Sequence, residues 1–360
     1  MDYAEARFEL GCAPGAIVHC YHPARAQQVL ETFQRACTQP LRPETEPSIV
    51  EIEDAILSDR YERECLFDLD GKRIETSCVF QFDENLAVSR WRAAEAIERV
   101  KVDITIHEPV VYQSVYFGHW GHFLLETMAR AWAIQERPDL ADMPSVFARG
   151  LQPELIGPNQ RQVLSLAGVE PLIEAAPRAT LRLAKCYVPT ASFALGGKAD
   201  LAHLLAPRRV AQRLLGTVTR NAQPVYLSRS EVTSKRPNFG PLANEQEFEA
   251  RLAAHGVRVV HMQRHSLAEQ IEIMNAHDVF IGPWGSALHN TLFSLRGRDI
   301  TTFVIVGGFS PTNFILVDSI VGNTAHYLMV LRQPPDFAEK KQHTIDIDAA
   351  IGYLRRHGVF

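Results

Sequence analysis

Between His119 and Arg130 the chain carries four polar side chains at intervals of three and four residues: His119, His122, Glu126 and Arg130. At ~100° per residue of an α-helix they fall on one narrow arc, completed by Ala129 and Ala133. The other positions include Trp120, Phe123, Leu124, Leu125, Met128, Ala131 and Trp132. A helix over His119–Arg137 is therefore apolar on most sides and expected to be buried. Its polar stripe then either faces a cleft or is paired internally, because buried polar groups need partners. A histidine and a glutamate four residues apart form an acid/base unit, the imidazole orienting or tuning the carboxylate. The plainer alternative is a Glu126–Arg130 ion pair beside a hydrogen-bonded core histidine. His119, His122 and Glu126 are also metal-ligand types, but nothing else in the chain supplies that context, so no metal is expected.

A second constellation is Gly282-Pro-Trp284-Gly285-Ser286-Ala287-Leu-His289-Asn290, directly after the apolar run Val279–Ile281. The pattern predicts strand, loop and helix. Gly282 and Gly285 let backbone approach a ligand closely. Ser286 is placed to cap a helix whose N–H groups favour an anion, with His289 and Asn290 in its first turn. A plain turn with a serine cap accounts for the same residues without a ligand. Ser228-Arg229 ends another strand, and Arg229 suits a bidentate grip on a diphosphate. Lys235 and Arg236 follow in a long loop, Lys235 reading as a solvated cation. Asp68-Leu-Asp70 and Asp346-Ile-Asp348 spell a metal-holding DxD pattern, but turn and cap chemistry explains both.

The elements that must hold these groups follow from the rest of the chain. At 360 residues the chain suits two domains, since single cores stop growing at about 250–300 residues. Its hydrophobic fraction of 46% and charged fraction of 22% are those of a soluble globular protein. A net charge of −5 argues against nucleic acid as the main partner. The cysteines Cys12, Cys20, Cys37, Cys65, Cys78 and Cys186 form no CxxC pair and read as free thiols. Acidic Asp2 and Glu5, with no long apolar run beside them, predict no signal peptide, and no stretch reaches the ~18 apolar residues of a membrane span. A cytoplasmic location is expected, with room for peripheral association at a membrane surface.

From Val225 onward apolar runs alternate with helical patterns. Asn244 with Glu247, and Ser266 with Glu269, mark helix starts, and Gly256 marks a helix end. Such alternation predicts a parallel sheet with helices on both faces. The earlier part is mixed: a helix over Ala24–Cys37, a hairpin at Asp70-Gly71, a strand at Val110–Ser114. Thr190–Lys198 is the expected linker. The division expected is an acceptor-side domain over 1–195, a nucleotide-sugar domain over 196–335, and a C-terminal helix over 336–360 packing back on the first domain.

Two stretches resemble glycosyltransferase family 61. Gly118-His-Trp-Gly-His122-Phe-Leu-Leu-Glu126-Thr-Met-Ala-Arg130 is similar to that family's aromatic-rich helix. Val225-Tyr-Leu-Ser-Arg229, Arg236, Asn244-Glu245, Ser266, Gln270, Ala276 and Gly282–Asn290 follow its C-terminal pattern in order. The resemblance covers about Val110–Arg130 and Val225–Phe293. It implies an α/β, GT-B-like fold, two Rossmann-like domains facing across a cleft, the C-terminal one a doubly wound parallel sheet. It further implies inverting, metal-independent transfer from a nucleotide-diphospho sugar to a glycan or glycolipid hydroxyl, as in bacterial surface polysaccharide synthesis. Glu126 or His122 then becomes the general base, and His119 and Arg130 shape the acceptor side. Arg229, Arg236, Gly282, Trp284, Gly285, Ser286, Ala287, His289 and Asn290 hold the donor. Trp284 and His289 depart from the family's usual residues, which leaves the donor's identity open. A nucleotide-sugar epimerase or hydrolase, or an inactive nucleotide-sugar-binding protein, is the alternative on the same architecture.

Overall fold

The computed structural model describes residues 4–10, 13–20, 47–58, 65–82, 88–90, 96–97, 101–149, 156–170, 172–173, 179–231, 242–296, 299–306, 312–332 and 342–360. The chain divides into two units, Leu41–Arg213 and a second that joins Met1–Pro40 to Leu214–Phe360. The strands β1 (Ala4–Leu10) and β2 (Ala13–Cys20) thus belong with the C-terminal half of the sequence. The helix expected over Ala24–Cys37 lies outside the described residues, as do Lys235 and Arg236.

In the Leu41–Arg213 unit a six-stranded sheet contains β3 (Ile49–Ser58), β4 (Ile104–Ile106), β5 (Val110–Tyr116), β6 (Ser145–Arg149), β7 (Leu172–Ile173) and β8 (Thr180–Pro189). Its order is β3-β8-β5-β6-β7, with β4 also beside β8. Every pairing is parallel except β3 with β8. All seven residues of β5 are buried, as expected of a strand covered on both faces. Tyr112 and Val115 pack in one core cluster, while Val111 meets Trp132 and Ala133 in another. The helices are α1 (Trp120–Leu125), α2 (Trp132–Glu136), α3 (Pro158–Ala167) and α4 (Leu205–Leu214). Thr190–Lys198 is internal to this unit rather than a linker: the Thr190 carbonyl accepts from Trp132 Nε1 at 2.9 Å, and Ser192 N donates to Ala129 O at 2.8 Å. The boundary lies at 213/214.

The other unit completes a seven-stranded sheet with β9 (Val225–Leu227), β10 (Arg258–Val260), β11 (Val279–Pro283), β12 (Thr301–Ile305) and β13 (Thr324–Met329). The order is β1-β2-β13-β12-β11-β9-β10, parallel throughout except the edge strand β1. Alternate residues build two cores. Val225, Leu227, Phe280 and Tyr327 join Ile273 and Met274 of α6 (Leu267–Ala276) and Ile315 of α7 (Thr312–Val321) on one face. Tyr226, Ile281, Phe303 and Leu328 join Phe248 and Leu252 of α5 (Glu245–Ala254) and Leu354 of α8 (Ile347–Arg356) on the other. The expected parallel sheet with helices on both faces is therefore present. The C-terminal helix α8 packs within this unit's own core, not on an N-terminal domain. Because β10 and β11 flank β9, the sheet reverses its winding there. That is the topological switch point at which open α/β sheets bind ligands, beyond the strands' carboxyl ends.

Capping is mostly as read. Ser266 and Glu269 form the reciprocal capping box, and Gly256 takes φ 81° after α5. Asn244 makes no side-chain cap; its amide instead binds both backbone groups of Ile345, each at 2.8 Å. Both DxD patterns serve local structure. Asp68 Oδ1 accepts from the N–H groups of Asp70 and Lys72, and Asp346 caps α8.

Asp318 on α7 is buried and accepts from Tyr327 Oη at 2.6 Å, Asn323 Nδ2 at 2.7 Å and Thr302 Oγ1 at 3.3 Å. Burial nevertheless pushes its carboxyl from an ordinary 3.8 up to about 6. An acid whose folded value is raised binds more protons folded than unfolded, so its contribution is complete at low pH and lost as pH rises through 6. That difference is on the order of 3 kcal/mol. Urea unfolding from pH 4 to pH 8 should show Asp318→Asn gaining on the wild type by about that amount; parallel stability curves would refute the buried acid's role.

Candidate active site

The acid/base pair is set at the carboxyl end of β5. That strand bulges where its register with β6 shifts between Tyr112 and Val115, and Ser114 adopts φ 91°. A positive φ is unfavourable for a residue with a Cβ, and a bulge bends the strand that carries it. The bent end leads through Phe117 and Gly118 into α1. Thr127 closes the corner: its Oγ1 accepts from Phe117 N at 2.9 Å and donates to Val115 O at 3.0 Å.

The expected continuous helix over His119–Arg137 is broken into α1, a 3₁₀ turn at Thr127–Arg130 and α2. A 3₁₀ turn advances ~120° per residue rather than ~100°, so the single polar arc does not persist beyond Glu126. His122 and Glu126 stay together, Nδ1 lying 2.5 Å from Oε2. Their exposure differs sharply: 44% of the His122 side chain is open and 1% of Glu126's. His119 is exposed, its ring edge-on to His122 at 5.3 Å, and the Phe117 ring is tilted against the same imidazole at 5.6 Å.

Arg130 leaves the stripe. Fully buried, it donates from Nη1 to Pro189 O and from Nη2 to Cys78 O at 3.0 Å, with its guanidinium 5.5 Å from the Tyr112 ring centroid. The Glu126–Arg130 pair is not formed, and Arg130 acts as a backbone clamp. Nearby, Ser192 Oγ donates to Ala129 O at 2.7 Å and lies 3.0 Å from His203 Nδ1. Burial lowers His203 to about 4, so it is neutral at pH 7.

In the second unit, Arg229 and the Gly282–Asn290 loop meet at the switch point. Arg229 follows β9 by two residues and donates from Nη1 to Trp284 O at 2.6 Å. Its own N–H donates at 2.7 Å to Glu245 Oε1, which also accepts from Tyr226 Oη at 3.0 Å. Burial lowers the Arg229 guanidinium's pKa, opposed by the neighbouring Glu245 carboxylate, and raises that of the Glu245 carboxyl. A Cβ on Gly285 would stand 3.1 Å from Arg229 Cδ, so the glycine leaves the arginine its room. Gly282 is different: its Cβ would meet Leu227 at 3.4 Å, a close approach of strands rather than of a ligand.

The helix expected after this loop is a six-residue 3₁₀ turn, Leu288–Phe293, entered from Ala287 without a side-chain cap. So short a turn offers little macrodipole to an anion. His289 and Asn290 point into the core, 6% and 2% exposed: His289 stacks on Phe314 at 4.6 Å, and Asn290 Nδ2 donates to Gln270 Oε1 at 3.1 Å. Trp284, Gly285, Ser286 and Ala287 are half-buried at the loop's surface side. Trp284 stands edge-to-face with His343 at 5.9 Å. Among the described residues no group of three or more His, Cys, Asp or Glu side chains forms a metal-holding cluster.

The sequence reading passed over Thr127, Glu245 as a partner of Arg229, and His343. Thr127 had a signal, a hydroxyl-bearing β-branched residue within a helical pattern, which bonds readily to backbone. Glu245 was hidden by its place in a helix's first turn. His343 had none, since only folding brings it to Trp284.

A family model described as Glycosyltransferase 61 matches residues 120–301, just over half of the chain, from α1 into β12. The chain belongs to glycosyltransferase family 61 and is a glycosyltransferase. No curated protein matches it. Among solved structures, Escherichia coli heptosyltransferase WaaC with ADP is similar over 70% of this chain and 100% of its own, at 13% identity and a TM-score of 0.34. No helix among the described residues is long and apolar enough to cross a membrane.

Proposed function

We propose that this glycosyltransferase inverts configuration, moving a sugar from a nucleotide-diphospho donor to a glycan or glycolipid hydroxyl without a metal ion. The observation that carries the mechanism is the His122–Glu126 contact with its contrast in exposure. A carboxylate only accepts, so Nδ1 bears the proton and Nε2 keeps its lone pair. A buried carboxylate cannot reach an acceptor, but it can fix the tautomer of an exposed imidazole and stabilise its charged form. His122 is therefore the base and Glu126 its orienting partner. As the acceptor oxygen attacks the anomeric carbon, Nε2 takes the hydroxyl proton. The bond from that carbon to the diphosphate oxygen breaks, and the nucleoside diphosphate leaves with the electron pair.

The other unit holds the donor in this reading, the division of labour of a GT-B enzyme. Arg229 binds the diphosphate, with the N–H groups of Gly285, Ser286 and Ala287 as further donors and Trp284 as a stacking surface. His289 and Asn290 support the loop from within. The enzyme works in the cytoplasm, where free thiols such as Cys65, Cys78 and Cys186 persist, extending a surface polysaccharide.

A thermal-shift panel of nucleoside diphosphates and nucleotide sugars, with and without EDTA, tests the donor site. A diphosphate at 100 times its Kd should add about 2.7 kcal/mol of stability, unchanged by EDTA and absent from Arg229→Ala. No response to any uridine, guanosine, cytidine, adenosine or thymidine diphosphate would overturn it.

A further inference from the structure

We infer that Thr127 is a positioning residue for the base, acting through the backbone of Phe117. The inference rests on the His122–Glu126 reading above. Thr127 is buried and follows Glu126 directly. Its hydroxyl bridges two groups of the strand end, accepting from Phe117 N and donating to Val115 O. Phe117 in turn lays its ring 5.6 Å from the imidazole of His122. One side chain is thus tied to two groups that touch the histidine: Glu126 through the peptide it shares with Thr127, and Phe117 through its N–H.

This clamp has a particular task. The strand end it holds is already bent by the bulge at Gln113–Ser114, where Ser114 takes φ 91°. A strained backbone conformation persists only when its surroundings enforce it. Without the Thr127 hydroxyl, the Val115 carbonyl and Phe117 N–H lose this shared bridge and the corner can relax. The imidazole would then shift against Glu126, and a misplacement of about 1 Å in such a group costs about a hundredfold in rate. The break in the helix is explained by the same bonds, which draw residue 127 toward β5.

The test needs no identified substrate. In the full-length protein labelled with ¹⁵N-histidine, a hydrogen bond from His122 Nδ1 to the Glu126 carboxylate gives a far-downfield Nδ1–H proton signal, assigned by its loss in Glu126→Gln. The expected result is that T127V, though folded, loses this signal and melts below the wild type, while T127S keeps the signal and melts within a few degrees of it. Retention of the signal in a folded T127V overturns the inference, as does its loss from a folded T127S. Should T127V fail to fold, F117L carries the test: loss of the downfield His122 signal supports the route through Phe117, and a signal that persists, shifted only by the missing ring, overturns it. A wild-type protein that lacks the signal would instead refute the His122–Glu126 pairing itself.

Discussion

His122→Ala lowers turnover by about 10²–10⁴-fold, the usual contribution of a positioned general base, while the nucleoside-diphosphate thermal shift stays at its wild-type size. The separation of effects is the informative part. His122 lies in the Leu41–Arg213 unit and Arg229 in the other, so under the proposed mechanism removal of the imidazole should abolish proton acceptance and leave the proposed donor site as it was. Glu126→Gln should approach the alanine variant's loss without removing a ring. An amide offers N–H as well as C=O, and it neither fixes the Nδ1–H tautomer nor stabilises the imidazolium formed in the transition state. Glu126→Asp, shorter by a methylene, should fall between, because it keeps the charge but not the 2.5 Å contact. Steady-state transfer assays with the donor identified by the thermal-shift panel decide the matter. An alanine variant retaining more than about a tenth of wild-type turnover is incompatible with a base that contributes at least ~10². Full loss in Glu126→Gln with an active His122→Ala would instead make the carboxylate the base.

Local spacing made much of this legible. The His122–Glu126 contact is an i,i+4 relation, and Ser266 with Glu269 is a capping box that forms as read. The alternating cores of the second sheet follow from the period of two along β9, β11, β12 and β13. What escaped depends on partners distant in sequence. The break after Glu126 is set by Val115 and Phe117, which a helical wheel drawn from His119 onward does not contain. β2 pairs with β13, Ile17 opposite His326, so the first strands join a sheet whose other members begin two hundred residues later. Asn244 spends its amide on Ile345 rather than on its own helix. His289 and Asn290 have the side chains of ligand-binding residues, but the 3₁₀ turn rotates them onto Phe314 and Gln270. Polar type and loop position suggested contact with a donor; only the tertiary packing shows them turned inward.

Arg130→Met destabilises the protein by about 2–5 kcal/mol, the cost of leaving two buried carbonyls without donors. Three terms compete. Burial lowers the Arg130 guanidinium's pKa, so methionine, of similar length, removes an unfavourable desolvated charge. The stacking on Tyr112 at 5.5 Å is largely replaced by thioether contact. Against these stand Cys78 O and Pro189 O, 52 and 59 residues away in sequence, which only a forked donor can satisfy together. The carbonyl term prevails because no water reaches a side chain with no exposed surface. Arg130→Lys retains the charge but presents one compact donor head, so lysine should not restore stability. Urea unfolding of both variants measures this directly. Acceptor kinetics on the same variants separate a structural clamp from the acceptor-side role that the sequence suggested. A clamp moves the unfolding midpoint and leaves the acceptor's KM unchanged at temperatures where the variant is folded. A wild-type midpoint with a raised acceptor KM would return Arg130 to the site.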